Sequence, residues 1–388
     1  MTVKNLIKSS FFILTLAVLV SCNTAPKAIV DSFTVTGTIK GLDTEYMSRS
    51  YYDSNGKRVS DSIFVTNGTF TYTAKINKAE HIIFWPNVER TIKRSGRGYY
   101  PAKSSQFAFL AKPGDHIVFN GDVKDFINAY PSGTKANDDL ASINSKIFPL
   151  MNASVNYMLK KNKLEKDDPQ VKAISDLMTS LDEGVVQLKK DFVLGNPTSE
   201  AAIWYLSDMM MRRQLTNEEA VSTFNSFDKS LAENAHYKEV ATRVKGIEST
   251  MIGKTVPNFT STKTPNGEEF SFDSLRGKYV MIDFWGVWCG PCVAEMPKVK
   301  EYADKYADKL TILGINSGDT KEKMMNFLNK NEYKWQQVMS EKGTNDLVLK
   351  FNVAGFPTKF IIDPEGKILH RYLGGSEEAF VELDKLLK

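Results

Sequence analysis

A chain of 388 residues, 42% hydrophobic and 25% charged, is globular in composition, which excludes a disordered or collagen-like protein. It is too long for one ordinary core, so two or three domains are expected. A formal charge of +4 is small for this length and argues against nucleic acid as a partner.

The N-terminus reads as an address rather than as part of a fold. Lys4 and Lys8 precede the apolar run FFILTLAVLV (Phe11 to Val20), which is too short to span a bilayer and suits the core of a secretory signal. The run leads into LVSC, and a small residue before cysteine resembles the lipobox of bacterial lipoproteins. That resemblance implies cleavage before Cys22 and lipid on its sulfur, hence attachment to the membrane; an ordinary signal peptide with a chance cysteine is the alternative. Loss of residues 1–21 removes Lys4, Lys8 and no acid, so the charge falls from +4 to +2. Residues 22–31 form a short tether without an acidic run that would suggest outer-surface display. The expected location is the cell envelope of a Gram-negative-type bacterium, facing the periplasm.

Residues from about Ser32 to Asp122, within a domain placed at 32–131, alternate with a period of two, as half-buried strands do. SFTVTGTIKG, DSIFVT, TFTYTAKI, EHIIFWP, FAFLAK and DHIVFNGD are rich in β-branched and aromatic residues. Asn67-Gly68 predicts a hairpin, and Asn55-Gly56 and Pro113-Gly114 mark further turns. We expect an all-β domain, a sandwich or open barrel. Its layout resembles the β-rich domain of unassigned function found at the front of some exported lipoproteins. Within it, ERTIKRSGRGYYPAK (Glu89 to Lys103) sets five basic residues around a tyrosine pair, and a mobile, solvated β-loop is the expectation.

Across 132–250 the period becomes helical. Val171, Ile174, Leu177, Leu181, Val185, Leu188 and Phe192 fall on one face, and NPTSEAAIWYL and LTNEEAV carry helix-start signals. Tyr237, Val240, Val244 and Ile247 continue the pattern in a last helix. Met209, Met210 and Met211 are adjacent, so they point in different directions and suit core filling better than copper binding.

From residue 251 to 388 strands and helices alternate, as in an α/β domain. Tyr279 to Trp285 reads as a strand and Cys289 to about Lys305 as a helix. Thr311 to Ile315 and Lys321 to Asn331 repeat the pair, with a short extended piece at Lys334 to Val338. Two strands, Thr358 to Ile362 and Lys367 to Tyr372, flank the turn Asp363 to Gly366, and a helix over Ser376 to Leu387 closes the chain. The fold class is therefore multidomain α+β: an N-terminal all-β domain, a helical connector and a C-terminal α/β domain.

The stretch IDFWGVWCGPC (Ile282 to Cys292) carries the chemistry. If Cys22 is lipidated, Cys289 and Cys292 are the remaining two of three cysteines, too few for a structural framework. The four histidines lie singly along the sequence and none is near Cys289, so no metal site is predicted. Cys-x-x-Cys at a helix N-terminus puts the first sulfur where unsatisfied N–H groups and the helix dipole favour a thiolate. Cys289 is thus the expected nucleophile, and Cys292, one turn on, can resolve the mixed disulfide. Gly290 admits a partner backbone, Pro291 suits the first helical turn, and Trp288 flanks a docking surface.

WCGPC resembles the signature of the thioredoxin fold, which identifies 251–388 as a thioredoxin-like domain. The resemblance implies that Asp283, six residues before Cys289, is a buried carboxylate that accepts and returns the proton of Cys292. The lysine that thioredoxins keep near it aligns with Gly314 here, which leaves the proton route incomplete. Gly355-Phe356-Pro357-Thr358 resembles the family's cis-proline loop, which implies that the Phe356 backbone pairs with an extended substrate beside the sulfurs. Glu295-Met296-Pro297 resembles the TlpA/ResA group of exported thioredoxin-like proteins. There Glu295 tunes the cysteines; a solvated helix residue is the alternative. The segment KTVPNFTSTKTPNGEEFSFDSLRGKYV resembles that group or the peroxiredoxins, but the Pro-x-x-x-Thr-x-x-Cys frame of a peroxidase is absent.

The resemblance implies a lipid-anchored thiol–disulfide oxidoreductase with no cofactor. It would act on protein disulfides, be re-reduced by a membrane thiol donor, and perform cytochrome c maturation or a similar thiol-reducing service. Left open are a disulfide oxidase or isomerase, and a periplasmic binding or scaffold lipoprotein whose redox domain is a docking module.

Overall fold

The computed structural model describes residues 31–53, 57–375 and 377–388. The signal segment, Cys22 and most of the tether lie outside them, as does the Asn55-Gly56 turn.

Among the described residues the first region has ten strands: β1 (Ser32–Lys40), β2 (Tyr46–Tyr52), β3 (Arg58–Phe64), β4 (Thr69–Lys75), β5 (Glu80–Phe84), β6 (Lys93–Ser95), β7 (Gly98–Tyr100), β8 (Phe107–Ala111), β9 (His116–Val123) and β10 (Ile127–Ser132). A four-stranded sheet runs β10-β9-β1-β4, with β1 and β9 parallel, and β2-β3, β5-β8 and β6-β7 pair separately. Alternate residues point inward, so rings from different sheets meet: Phe33 on Phe109, Phe70 on Phe84 and Phe107 on Phe119. This is sandwich packing.

Two details differ from the sequence reading. Asn67-Gly68 does make a tight turn, with positive φ at both residues and paired bonds between Thr66 and Thr69, yet the ladder stops there. β3 pairs with β2 and β4 with β1, because their apolar faces serve different sheets. The expected loop at 89–103 contains the β6-β7 hairpin, and Lys93 is buried against Asp125 and Asn156.

Five helices follow: α1 (Lys135–Lys161), α2 (Gln170–Gly195), α3 (Glu200–Met211), α4 (Asn217–Asn225) and α5 (Ala235–Ser249). Thr216 and Glu219 form a reciprocal capping box that starts α4. Met209 and Met210 fill the core while Met211 faces out. The sandwich is pinned to the helices by Lys103 Nζ donating to Asp208 at 2.7 Å and by His81 stacked 4.0 Å from Trp204. No described helix is long and apolar enough to cross a membrane.

The last region opens with the short strands β11 (Thr260–Ser261) and β12 (Phe270–Ser271). Then come β13 (Tyr279–Trp285), α6 (Gly290–Lys305), β14 (Leu310–Asn316), α7 (Lys321–Lys330), β15 (Gln336–Met339), α8 (Leu347–Lys350), β16 (Thr358–Ile362), β17 (Ile368–Leu373) and α9 (Glu377–Leu387). The sheet order is β15-β14-β13-β16-β17, with β16 antiparallel to β13. β13 is central and buried on both faces, which is why YVMIDFW reads as a nearly continuous apolar run. Its one charged residue is Asp283. α5 docks on this domain through Gly246, where any Cβ would sit 2.7 Å from the Leu349 and Lys350 carbonyls. Buried Arg243 reaches the Val353 carbonyl at 3.4 Å.

Candidate redox site

Cys289 caps the N-terminus of α6 with extended backbone, and its sulfur accepts the Cys292 N–H at 3.3 Å. Pro291 lies in the first turn, where its missing N–H costs nothing. The two cysteines are joined as a disulfide with Cα atoms 5.3 Å apart. They sit in an apolar cluster with Trp285, Met296, Met324 and Leu328, with Phe356 against it. Both sulfurs are buried in the oxidised form, Cys289 at 5% and Cys292 at 1% exposure, and Cys289 is the one at the helix N-terminus.

The loop before Cys289 is built to hold Trp288 at the surface. Its indole is 53% exposed, donates to the Ser317 carbonyl at 2.8 Å and packs edge-on against Phe356 at 5.1 Å. Gly286 is required because a Cβ there would meet the indole at 2.4 Å. Asp319 anchors the same loop by accepting the Val287 N–H at 2.7 Å and the Asn316 amide at 3.0 Å. The Phe356–Pro357 bond is cis. Thr358 donates to the Gly355 carbonyl at 2.7 Å, and Gly374 N–H to the Pro357 carbonyl at 2.8 Å. Among the described residues nothing bonds to the Phe356 N–H or carbonyl, which leaves both open to an extended partner strand.

Beneath the helix lies a charged cluster. Alternation along β13 turns Met281, Asp283 and Trp285 to the α6 side. Met281 meets Val299 and Tyr302 of α6, and Trp285 joins the cysteines, so Asp283 lies between these two layers. In register, Asp283 is opposite Gly314 on β14 and Lys359 on β16. Lys359 is 1% exposed; its Nζ is 3.4 Å from Asp283 Oδ1, an ion-pair contact, and donates to Glu295 Oε2 at 2.5 Å. The expectation that the carboxylate lacks a lysine is therefore corrected. The β14 position is Gly314, its space filled by the buried side chain of Gln337, and the lysine arrives from the opposite neighbour strand. Glu295 is not a solvated helix residue either, since it joins Asp283 through Lys359.

Burial pushes the Asp283 carboxyl above the ordinary carboxylate range; Lys359 pulls it back and Glu295 adds to the rise. Burial depresses Lys359, but Asp283 and Glu295 outweigh it and hold the ammonium above its usual value. Carboxylate, ammonium and carboxylate thus stand in a row beneath the helix that carries the disulfide.

Lys359, Asp319 and Gln337 escape the sequence reading. Lys359 alone leaves a trace: it is the one charged residue in the strand TKFII, and a lysine buried in a central sheet needs a carboxylate partner. Among the described residues no cluster of histidine, cysteine and acids could hold a metal ion.

Comparison with known proteins bears on both ends of the chain. Residues 251–387 match the Redoxin family, and residues 33–140 match a domain of unknown function, DUF4369. The thiol-disulfide oxidoreductase ResA of a Bacillus cereus strain is 35% identical over 128 residues, covering 33% of this chain and 72% of its own. ResA of Bacillus subtilis is 33% identical over 138 residues, 35% of this chain and 75% of its own. Among solved structures, the thioredoxin domain of a thiol-disulfide oxidoreductase from Bacteroides vulgatus aligns at 26% identity and a TM-score of 0.33. That alignment covers 36% of this chain and 99% of the solved one.

Proposed function

The chain belongs to the ResA-like thiol–disulfide oxidoreductases of the thioredoxin superfamily, and on that premise we propose that it is an exported, lipid-anchored reductase of protein disulfides. What supports the reducing direction is the Cys-Gly-Pro-Cys centre at the start of α6, which resembles the reducing end of the family, while the buried Asp283–Lys359–Glu295 cluster supports proton exchange with the pair. In the dithiol form, the helix N-terminus favours a Cys289 thiolate. That thiolate attacks one sulfur of a substrate disulfide, and the other substrate sulfur leaves as a thiolate. Cys292 gives its proton toward Asp283 and attacks Sγ of Cys289, which expels the second substrate sulfur as a thiolate and leaves Cys289–Cys292 oxidised; the proton held on Asp283 and one from solvent complete the substrate dithiol. Two electrons pass to the substrate, and a membrane thiol donor returns them to the protein. Cytochrome c maturation is one service of this type.

Anchoring rests on LVSC and Cys22, with the tether leading directly into β1. Two readouts test the proposal together. The reduced soluble chain lacking residues 1–22 should precipitate insulin in dithiothreitol well faster than buffer. The full chain should sediment with membranes and its Cys22→Ala variant should not. An insulin rate equal to that of buffer would remove the reductase reading, and an unchanged distribution would remove the lipid anchor.

A further inference from the structure

The cis-proline loop does not end at a free surface. Next to it the helical region and the thioredoxin-like domain enclose a crevice of about 180 Å³. Its floor is Met210 and Ile247, both buried, and one wall is Leu215 and Arg213 from the α3–α4 connection. The other wall is Ala354 and Leu373. Leu373 is 40% exposed and lies 3.1 Å from where a Cβ on Gly355 would be, so this wall is continuous with the loop beside the sulfurs. Ala354 is two residues from Phe356, at most about 7 Å along the backbone.

The chemistry of the lining is specific. Apolar side chains form the base, two arginines, Arg213 and Arg371, stand in the lining, and no carboxylate does. Arg371 is held in place by donating to the Asn352 carbonyl at 2.7 Å. Arg213 is exposed and adopts a left-handed backbone, φ +56°, which places it at the tip of the turn after α3. A segment that pairs with Phe356 and continues toward this crevice would bring its side chain two or three residues from the attacked cysteine into the crevice.

Resting on the reductase reading, we infer that this crevice selects substrates: it takes an apolar residue followed by a carboxylate from an extended segment of the protein substrate, and Arg213 is a specificity-determining residue. The helical region is then part of the substrate site and not a spacer.

The test uses the reduced soluble chain (residues 23–388) in single turnover, followed by its intrinsic tryptophan fluorescence, with Trp285 and Trp288 beside the pair. Three probes are oxidants: a disulfide-linked peptide with Leu-Asp two and three residues from its cysteine, the same peptide with Leu-Lys, and 2-hydroxyethyl disulfide, which is too small to reach the crevice. Arg213→Glu should slow the Leu-Asp peptide by about tenfold and speed the Leu-Lys peptide, because the charge complementarity is inverted. The small disulfide should react at the wild-type rate. Equal rates for wild type and Arg213→Glu on both peptides would overturn the inference, and so would a parallel loss on all three probes. A wild-type chain that oxidises with none of them would overturn the reductase reading and this inference with it.

Discussion

Replacing Cys292 with serine should stop the reaction after one event and leave the substrate covalently held on Cys289, about one per protein molecule. The expectation follows from position. Cys289 is the N-cap residue of α6, where unsatisfied N–H groups favour its thiolate, while Cys292 lies one turn into the helix and is the more buried of the two at 1% exposure against 5%. A substrate therefore meets Cys289, and Cys292 can reach only Cys289. Cys289→Ser should lose at least about a thousandfold in the rate of disulfide reduction, because serine is not ionised at this pH. It should also trap nothing. Mass spectrometry of the two variants after exposure to a disulfide-bonded peptide, under non-reducing conditions, reads the difference directly. A covalent adduct on Cys289→Ser, located at Cys292, would reverse the assigned order of attack.

Lys359→Met should destabilise the thioredoxin-like domain by about 3–5 kcal/mol near neutral pH, the usual cost of removing one partner from a buried ion pair. The ammonium is 1% exposed and faces two carboxylates, so methionine leaves Asp283 and Glu295 confronting each other without a cation. The pH dependence has a definite sign. Burial already raises the Asp283 carboxyl, and Lys359 is what pulls it down. In the variant it rises further, so the folded state keeps a proton that the unfolded chain has released. Stability must then fall as pH climbs from the unfolded carboxyl value through the folded one. The variant's deficit in urea unfolding should be smaller at pH 5 than at pH 8. Adding Asp283→Asn should recover part of the loss by removing the stranded charge. A deficit that is flat with pH, or no deficit, would mean that the three groups do not act as a unit.

Much of the C-terminal domain is legible in the sequence because its signals are local. β13 is a continuous apolar run, DPEG fixes the β16–β17 hairpin, and Cys-Gly-Pro-Cys marks a helix start. The N-terminal sandwich is harder. β2 (YMSRSYY) turns serines and tyrosines outward and buries Met47 and Arg49, so its alternation is masked by polar residues on both faces. β10 contains Pro131, which argues against a strand until the sheet shows that β10 lies at its edge, where a missing donor is tolerated. α1 carries Pro149 and many Asn and Ser residues, which blur its apolar stripe.

The site divides in the same way. The cysteines, Asp283 and the cis-proline loop carry sequence patterns that survive without the fold. Lys359 becomes Asp283's partner only through strand register, and Arg213 and Leu373 line one crevice only because the helical region, with Gly246 of α5 against the α8 carbonyls, docks on this domain. Contacts set by register or by domain docking leave no short-range sign of the partner, even where, as with the lone charge of Lys359 in TKFII, the sequence shows that one is needed. Glu295 lies between these cases, since its place in α6 is readable but its ion pair with a lysine from β16 is not.

The most direct test of the central claim, that this centre donates electrons, is the potential of the Cys289–Cys292 pair. The soluble chain would be equilibrated in glutathione buffers of graded ratio, acid-quenched and alkylated, and its fraction oxidised read by mass spectrometry of the Cys289–Cys292 peptide. A value near thioredoxin's, about −270 mV, is the predicted result. A value above about −180 mV would contradict it and identify a centre poised to oxidise or shuffle disulfides.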